Sequence, residues 1–168
     1  MRWRIAIAAV VALASLLGMI AILADSRRAR DSRTRLPFAT TAPANASFIG
    51  FDEAHVALDS KCARVLVAAT PSLRSRGLRE VRSLAPYAGM LFVFPGDTNA
   101  RFTMAHTLLP LDITFFAANG TPVDTEHMTP CPNGTDATCP VYQSSARYRY
   151  ALERAAGSSG SGSLGSCA

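Results

Sequence analysis

Leu111-Asp-Ile-Thr-Phe-Phe-Ala-Ala118 runs into Asn119-Gly120 and emerges through Pro122-Val123. Asn-Gly between two apolar runs is the strongest short-range hairpin signal, because both residues tolerate the positive φ of a tight turn. A period of two puts Leu111, Ile113 and Phe115 on one face of the first strand and Asp112, Thr114 and Phe116 on the other. The same reading extends outward. Gly89-Met-Leu-Phe-Val-Phe94 is a continuous apolar run stopped by Pro95-Gly96, as suits a strand buried on both faces. Lys61 to Ala69 is a further strand. Thr70-Pro71 then starts a helix, with Thr as N-cap and Pro at the first helical position, and Gly77 keeps it short. Downstream, Ala146-Arg-Tyr-Arg-Tyr-Ala-Leu-Glu153 alternates and places Tyr148, Tyr150 and Leu152 on one side. These elements predict an all-β domain, a compact β-sandwich or barrel with one short helix.

The 168 residues carry 17 Lys and Arg against 12 Asp and Glu, a formal charge of +5. With 49% hydrophobic and 17% charged residues, a wholly disordered chain is excluded. Seven Arg and two Asp fall within residues 1–35, so residues 36–168 are balanced at zero. The β domain thus lacks the charge excess of a nucleic-acid binder, and no nucleic-acid partner is expected. Of the 17 basic residues 16 are Arg, which reads as genome composition rather than function.

Residues 1–35 read as a basic flank, a transmembrane anchor or signal segment, and an Arg-rich juxtamembrane stretch. Ile5 to Ala24 is apolar apart from Ser15 and Gly18. At 1.5 Å per residue it spans ~30 Å, the thickness of a hydrocarbon core. An uncleaved anchor is favoured over a cleaved signal, because Ile22 stands where cleavage ahead of residue 25 prefers a small side chain. Arg27, Arg28, Arg30, Arg33 and Arg35 are suited to anionic headgroups. A count of basic residues alone keeps that flank inside the cell; the cysteines argue the opposite. Residues 36–47 read as a linker, 48–157 as the β domain and 158–168 as a flexible Gly/Ser tail.

Cys131 and Cys139 flank Pro132-Asn-Gly-Thr-Asp-Ala-Thr138, a loop with no apolar anchor. A disulfide closing nine residues stabilises by roughly 2.5 kcal/mol and implies an oxidising compartment. Free thiols and a zinc or copper site are the alternatives, although the spacing is wide for a zinc knuckle and no second close pair exists. Cys62 lies in a strand and reads as a buried apolar filler; Cys167 lies in the tail, reactive or without a role.

Arg76-Gly-Leu78, Gly89 to Phe94, Phe102-Thr-Met104, Leu109-Pro-Leu-Asp-Ile113 and Phe115-Phe116 occur in this order. Gly120, Tyr142, Arg147-Tyr148, Ala151-Leu-Glu153 and Gly157 follow. Together these segments resemble the domain-of-unknown-function family 192, found in bacteria and archaea, over about residues 60–157. The resemblance implies a compact all-β domain, often behind a signal or anchor, and no secure biochemical function. The loop ending in Cys139-Pro-Val-Tyr142 looks like a variant of secreted or anchored members. Three places depart from the family pattern: Thr103 stands for a common Trp, Ala105-His106 for Lys or Arg then Asn, and Arg79 for Met.

Polar residues within these segments are the candidate ligand surface: Thr103, His106, Thr107, Asp112, Tyr142, Arg147 and Glu153. The leading expectation is a non-catalytic ligand-binding or envelope accessory module, anchored or exported with its β domain outside the cytoplasm. Its expected partners are the membrane, through residues 5–24, and a small ligand or an envelope protein. The alternative is an enzyme with Asp112 or Glu153 as acid/base and Arg147 as anion clamp; an Asp112–Arg147 ion pair is the contact that bears on it. A lesser alternative is copper on Met90, Met104 and Met128 with His106 or His127, although methionine beside aromatic rings is usually core filling. No cofactor and no resident metal are expected. No Gly-rich phosphate loop, zinc-protease helix or nucleophile elbow is present.

Overall fold

The computed structural model of the chain describes residues 36–58, 60–158 and 162–167. The apolar segment at 5–24 and the arginines after it lie outside the described residues. Among the described residues, no helix is long and apolar enough to cross a membrane.

Among the described residues ten strands and one short α-helix follow in order: β1 (Thr41–Pro43), β2 (Asp52–Leu58), β3 (Lys61–Ala68), α1 (Pro71–Arg76), β4 (Met90–Thr98), β5 (Phe102–Thr103), β6 (Leu111–Phe116), β7 (Pro122–Met128), β8 (Val141–Tyr142), β9 (Tyr148–Ala155) and β10 (Leu164–Ser166), with a 3-10 turn at Ala46–Phe48. The main sheet runs β1-β2-β3-β4-β9-β6-β7, with β10 also on β2. β5 and β8 form a separate ribbon. Every pair in the main sheet is antiparallel except β3–β4. That parallel pair is reached by a crossover through α1, because parallel neighbours need a long connection.

The expected sandwich or barrel is corrected to one open mixed sheet. Among the described residues β7 ladders only with β6, so the strands do not close into a ring. The reason lies in the central strands. All six residues of β6 are buried, as are the consecutive residues Met90 to Phe92 of β4 and Tyr150 to Glu153 of β9, so both faces are covered there. A sheet of this kind needs apolar cover on each side rather than one wet face. One face packs Met90, Phe92, Ile113 and Phe115 beneath Phe48, Phe51, Leu78, Tyr87 and Met104 from the connections. The other packs Leu91, Phe116, Tyr150 and Leu152 with Leu36 and Leu164.

Both termini of the described core are therefore structural. The expected linker contributes the buried Leu36 and the edge strand β1. The expected flexible tail contributes β10: Leu164 is buried, and its N–H donates to Gly120 O at 2.9 Å. Cys62 is not a buried filler. It faces outward on β3 and forms a disulfide with Cys167, which fixes the end of β10 to the sheet. Leu164 supplies the apolar anchor that the Gly/Ser composition hides.

The hairpin forms at Asn119-Gly120, with Gly120 at φ +83° and Ala117 N–H donating to Thr121 O. Helix α1 is capped as read, Leu73 N–H donating to Thr70 Oγ1 at 3.3 Å, and Gly77 closes it. Pro95-Gly96 does not end β4. The strand continues to Thr98 through a register shift between Val93 and Thr98. That interruption breaks the alternation expected of β9: Tyr148 packs with Phe94, Phe102 and Phe115, whereas Tyr150 and Leu152 lie in the other cluster.

Candidate functional site

A cleft of about 290 Å³ opens where α1 and the segment after it face β4, the β5 loop and the disulfide loop. Glu153 lines it. In the sheet Glu153 sits opposite Met90 on β4 and Ile113 on β6. Cross-strand partners point to the same face, so its carboxyl group lies on the side of Phe92 and Phe115. The residue is only 5% exposed. Its carboxyl group has no hydrogen-bond or ion-pair partner among the described residues. No fully enclosed side-chain polar atom lacks a partner among them, so the carboxyl oxygens meet the cleft. Burial pushes its pKa up to about 8, because desolvation disfavours the charged form. Glu153 is therefore mostly protonated near pH 7 and can donate as well as accept a hydrogen bond.

Phe92, Phe102, Thr103 and Thr107 also line the cleft. Phe92 and Phe102 meet edge to face at 5.0 Å between ring centres, a favoured aromatic geometry. Thr107 is buried, and its hydroxyl has no partner among the described residues, whereas Thr103 Oγ1 accepts from Ala105 N–H at 3.0 Å. The loop that carries both threonines is pinned at two points. Tyr148 donates its hydroxyl to Ala100 O at 2.7 Å, and His106 N–H donates to Cys131 O at 3.0 Å.

Four arginines stand around the mouth. Arg74 donates from Nη1 to Ala69 O at 2.6 Å and to Val93 O at 2.9 Å, with its guanidinium over the Phe94 ring. Desolvation lowers its pKa from the ordinary value. Arg76 donates to Ile49 O and lies over Phe51. Arg79 pairs with Asp136 at 2.5 Å. Arg101 is exposed and has no partner among the described residues. Asp136 belongs to the loop closed by the Cys131–Cys139 disulfide. Gly134 makes that closure possible, since a Cβ there would lie 2.3 Å from both sulfurs. The disulfide expected from the sequence is present, and it places an acidic wall against Arg79.

Of the seven candidate residues, the structure gathers Thr103, Thr107 and Glu153. Asp112 lies on the opposite face of β6 and accepts from His127 Nδ1 at 2.7 Å and from Gly157 N–H at 2.8 Å. Arg147 donates to Asp97 O instead. The Asp112–Arg147 pair is thus corrected: each is held by other partners. Tyr142 is bound in the ribbon, its hydroxyl accepting from Thr129 N–H at 2.9 Å. His106 is exposed at φ +59° and its carbonyl accepts from Glu80 N–H at 2.8 Å. The copper set does not assemble either. Met90, Met104 and Met128 are enclosed in the apolar core, while His106 is exposed and the His127 side chain is 65% exposed.

The residues missed from sequence were the arginines. Arg74, Arg76 and Arg79 cluster within six positions directly after a capped helix start, and that clustering is the signal that composition obscured. Arg79 and Thr103, two departures from the family pattern, both line the cleft.

A family model described as DUF192, uncharacterized ACR, matches residues 54–164. Two crystal structures share the fold. One, a candidate transcription regulator from Sinorhizobium meliloti 1021, is 30% identical with a TM-score of 0.55; the match covers 66% of this chain and 88% of that one. The other, a protein of unknown function from Novosphingobium aromaticivorans DSM 12444, is 22% identical with a TM-score of 0.57, covering 71% and 83%. No curated protein matches the chain.

Proposed function

This chain belongs to the DUF192 family, and for this member we propose a non-catalytic binding module of the cell envelope whose ligand occupies the Glu153 cleft. One observation carries the reading: a buried carboxyl group opens into a cleft that also holds a threonine hydroxyl, neither with a side-chain partner among the described residues. Both groups open onto the cleft and are not sealed in protein, so a ligand that enters it can hydrogen-bond to them. At about 290 Å³ the cleft has the size of a small-molecule site.

Acid/base catalysis needs a second reacting group beside the ligand. Asp112, the other acid/base candidate, and Arg147, the expected anion clamp, have their contacts elsewhere. Glu153 is accordingly assigned to binding. The envelope placement is supported by the apolar stretch Ile5 to Ala24 and by the Cys62–Cys167 and Cys131–Cys139 disulfides, which persist in oxidising compartments. The anchor is retained and the β domain faces outward.

The test uses the full chain in detergent micelles and a small-molecule extract of the envelope. Amide resonances of Thr103, Thr107 and Glu153 should shift, and the bound compound should be recovered chemically unchanged. Shifts confined to other surfaces reject the site. Consumption of the compound rejects the non-catalytic role.

A further inference from the structure

The charges around the cleft are lopsided. Its charged lining is Arg74, Arg76, Arg79 and Arg101 against Asp136, with Glu153 at the base. Asp136 is already paired with Arg79. Arg74 and Arg76 each hold carbonyls through Nη1 alone, which leaves the rest of each guanidinium fork unengaged. Arg101 has no partner among the described residues. A guanidinium fork matches a carboxylate or phosphate in two parallel hydrogen bonds. A cleft rimmed by one sign of charge also concentrates the opposite ion. A cationic ligand would meet four guanidinium groups before reaching Glu153.

The base asks for something different. Glu153 and Thr107 offer hydrogen bonds in a desolvated setting, and Phe92 and Phe102 form apolar walls between base and rim. The Glu153 carboxyl group makes no ion pair with any rim arginine, so base and rim offer a ligand separate points of contact.

We infer that the ligand is a small organic acid: a carboxylate or phosphate held by Arg101 and its neighbours, an apolar body against Phe92 and Phe102, and a neutral hydrogen-bonding group at Glu153. This rests on the cleft being the binding site, and it adds the ligand's charge and polarity. Arg101 selects the acid; Glu153 anchors the far end.

Three probes of matched shape test it on the full chain in detergent: 4-hydroxyphenylacetate, 4-hydroxyphenyl phosphate and the neutral 4-hydroxyphenylacetamide. Inorganic phosphate is the fourth arm, and affinities are read by amide shifts and calorimetry. Both acids should bind at least tenfold more tightly than the amide. Arg101→Ala should remove most of that ratio, and Glu153→Leu, which removes the hydrogen-bonding group, should weaken all three probes. An amide that binds as tightly as the acids, or a ratio unmoved by Arg101→Ala, overturns the acid class and leaves cleft binding standing. Inorganic phosphate binding as tightly as the aryl phosphate, with no dependence on Glu153, overturns the inference in favour of a bare ion site. Absence of shifts at Thr103, Thr107 and Glu153 with every probe overturns both readings. Arg101 is exposed, so its variant folds.

Discussion

Replacing Glu153 by Gln should change how stability depends on pH more than stability itself. The folded carboxyl group titrates at about 8 against an ordinary value of 4.5, owing to burial. Below pH 4.5 it is protonated in both states and contributes no pH dependence. Between 4.5 and 8 the unfolded state releases its proton first, so it binds fewer protons than the folded state, and stability falls as pH rises. Above 8 both states are ionised and the loss is complete. The interval of 3.5 units corresponds to about 5 kcal/mol at ~1.36 kcal/mol per unit. Gln is nearly isosteric and cannot ionise. The variant should match the parent within ~1 kcal/mol at pH 4.5 and exceed it by several kcal/mol at pH 8.5. Urea unfolding from pH 4.5 to 9, with detergent held constant, measures the difference. Glu53 and Asp124, whose pKa values lie below the ordinary range, titrate alike in both proteins and cancel. Parallel curves for the two proteins would refute the desolvated carboxyl group and the site built on it.

Three further outcomes follow from the packing. Replacing Cys62 and Cys167 together by Ser opens a loop with a sequence separation of 105; chain entropy sets the loss near 4–5 kcal/mol, and hydrogen exchange at Leu164 should accelerate to match. An unchanged urea midpoint would show that β10 does not depend on the bridge. Gly120→Ala places a Cβ 1.9 Å from Leu164 O at φ +83°, so it should cost at least ~2 kcal/mol, whereas Gly96→Ala meets nothing within 4 Å and should shift the midpoint by less than ~0.5 kcal/mol. Tyr148→Phe removes the hydroxyl bond to Ala100 O and should cost about 1 kcal/mol; amide shifts spreading to Thr103 would confirm that this bond holds the cleft loop.

The strands were legible because short apolar runs and turn residues act locally. Asn119-Gly120, Thr70-Pro71 and the run from Met90 each specify their own conformation, and each appears where read. Pairings between distant segments were not legible. Nothing in Lys61 to Ala69 says that β4 will run parallel to it rather than return antiparallel. The tail shows the same limit. Gly/Ser composition predicts flexibility when a segment has nothing to bury, but one leucine and one cysteine, each given a partner more than forty residues away, are enough to hold three residues in the sheet. Cys62 was misread for a related reason: its side depends on the register of β2 and β3, which alternation within its own strand does not fix.

The site obeys the same logic with opposite consequences for two carboxylates. Asp112 and Glu153 both sit in strands dense with apolar residues, and sequence gives no ground for separating them. The sheet separates them by face. Asp112 looks toward His127 and the Gly157 amide, so its charge is met by protein. Glu153 lies on the face where α1 and the β5 loop leave a gap, so it is desolvated and unmet. A carboxyl group held in a desolvated cleft is a stability cost carried by the folded chain. Such a cost is retained most readily where a molecule from outside completes the hydrogen bond. Under the proposed function, the arginines gathered at the mouth favour a ligand of negative charge.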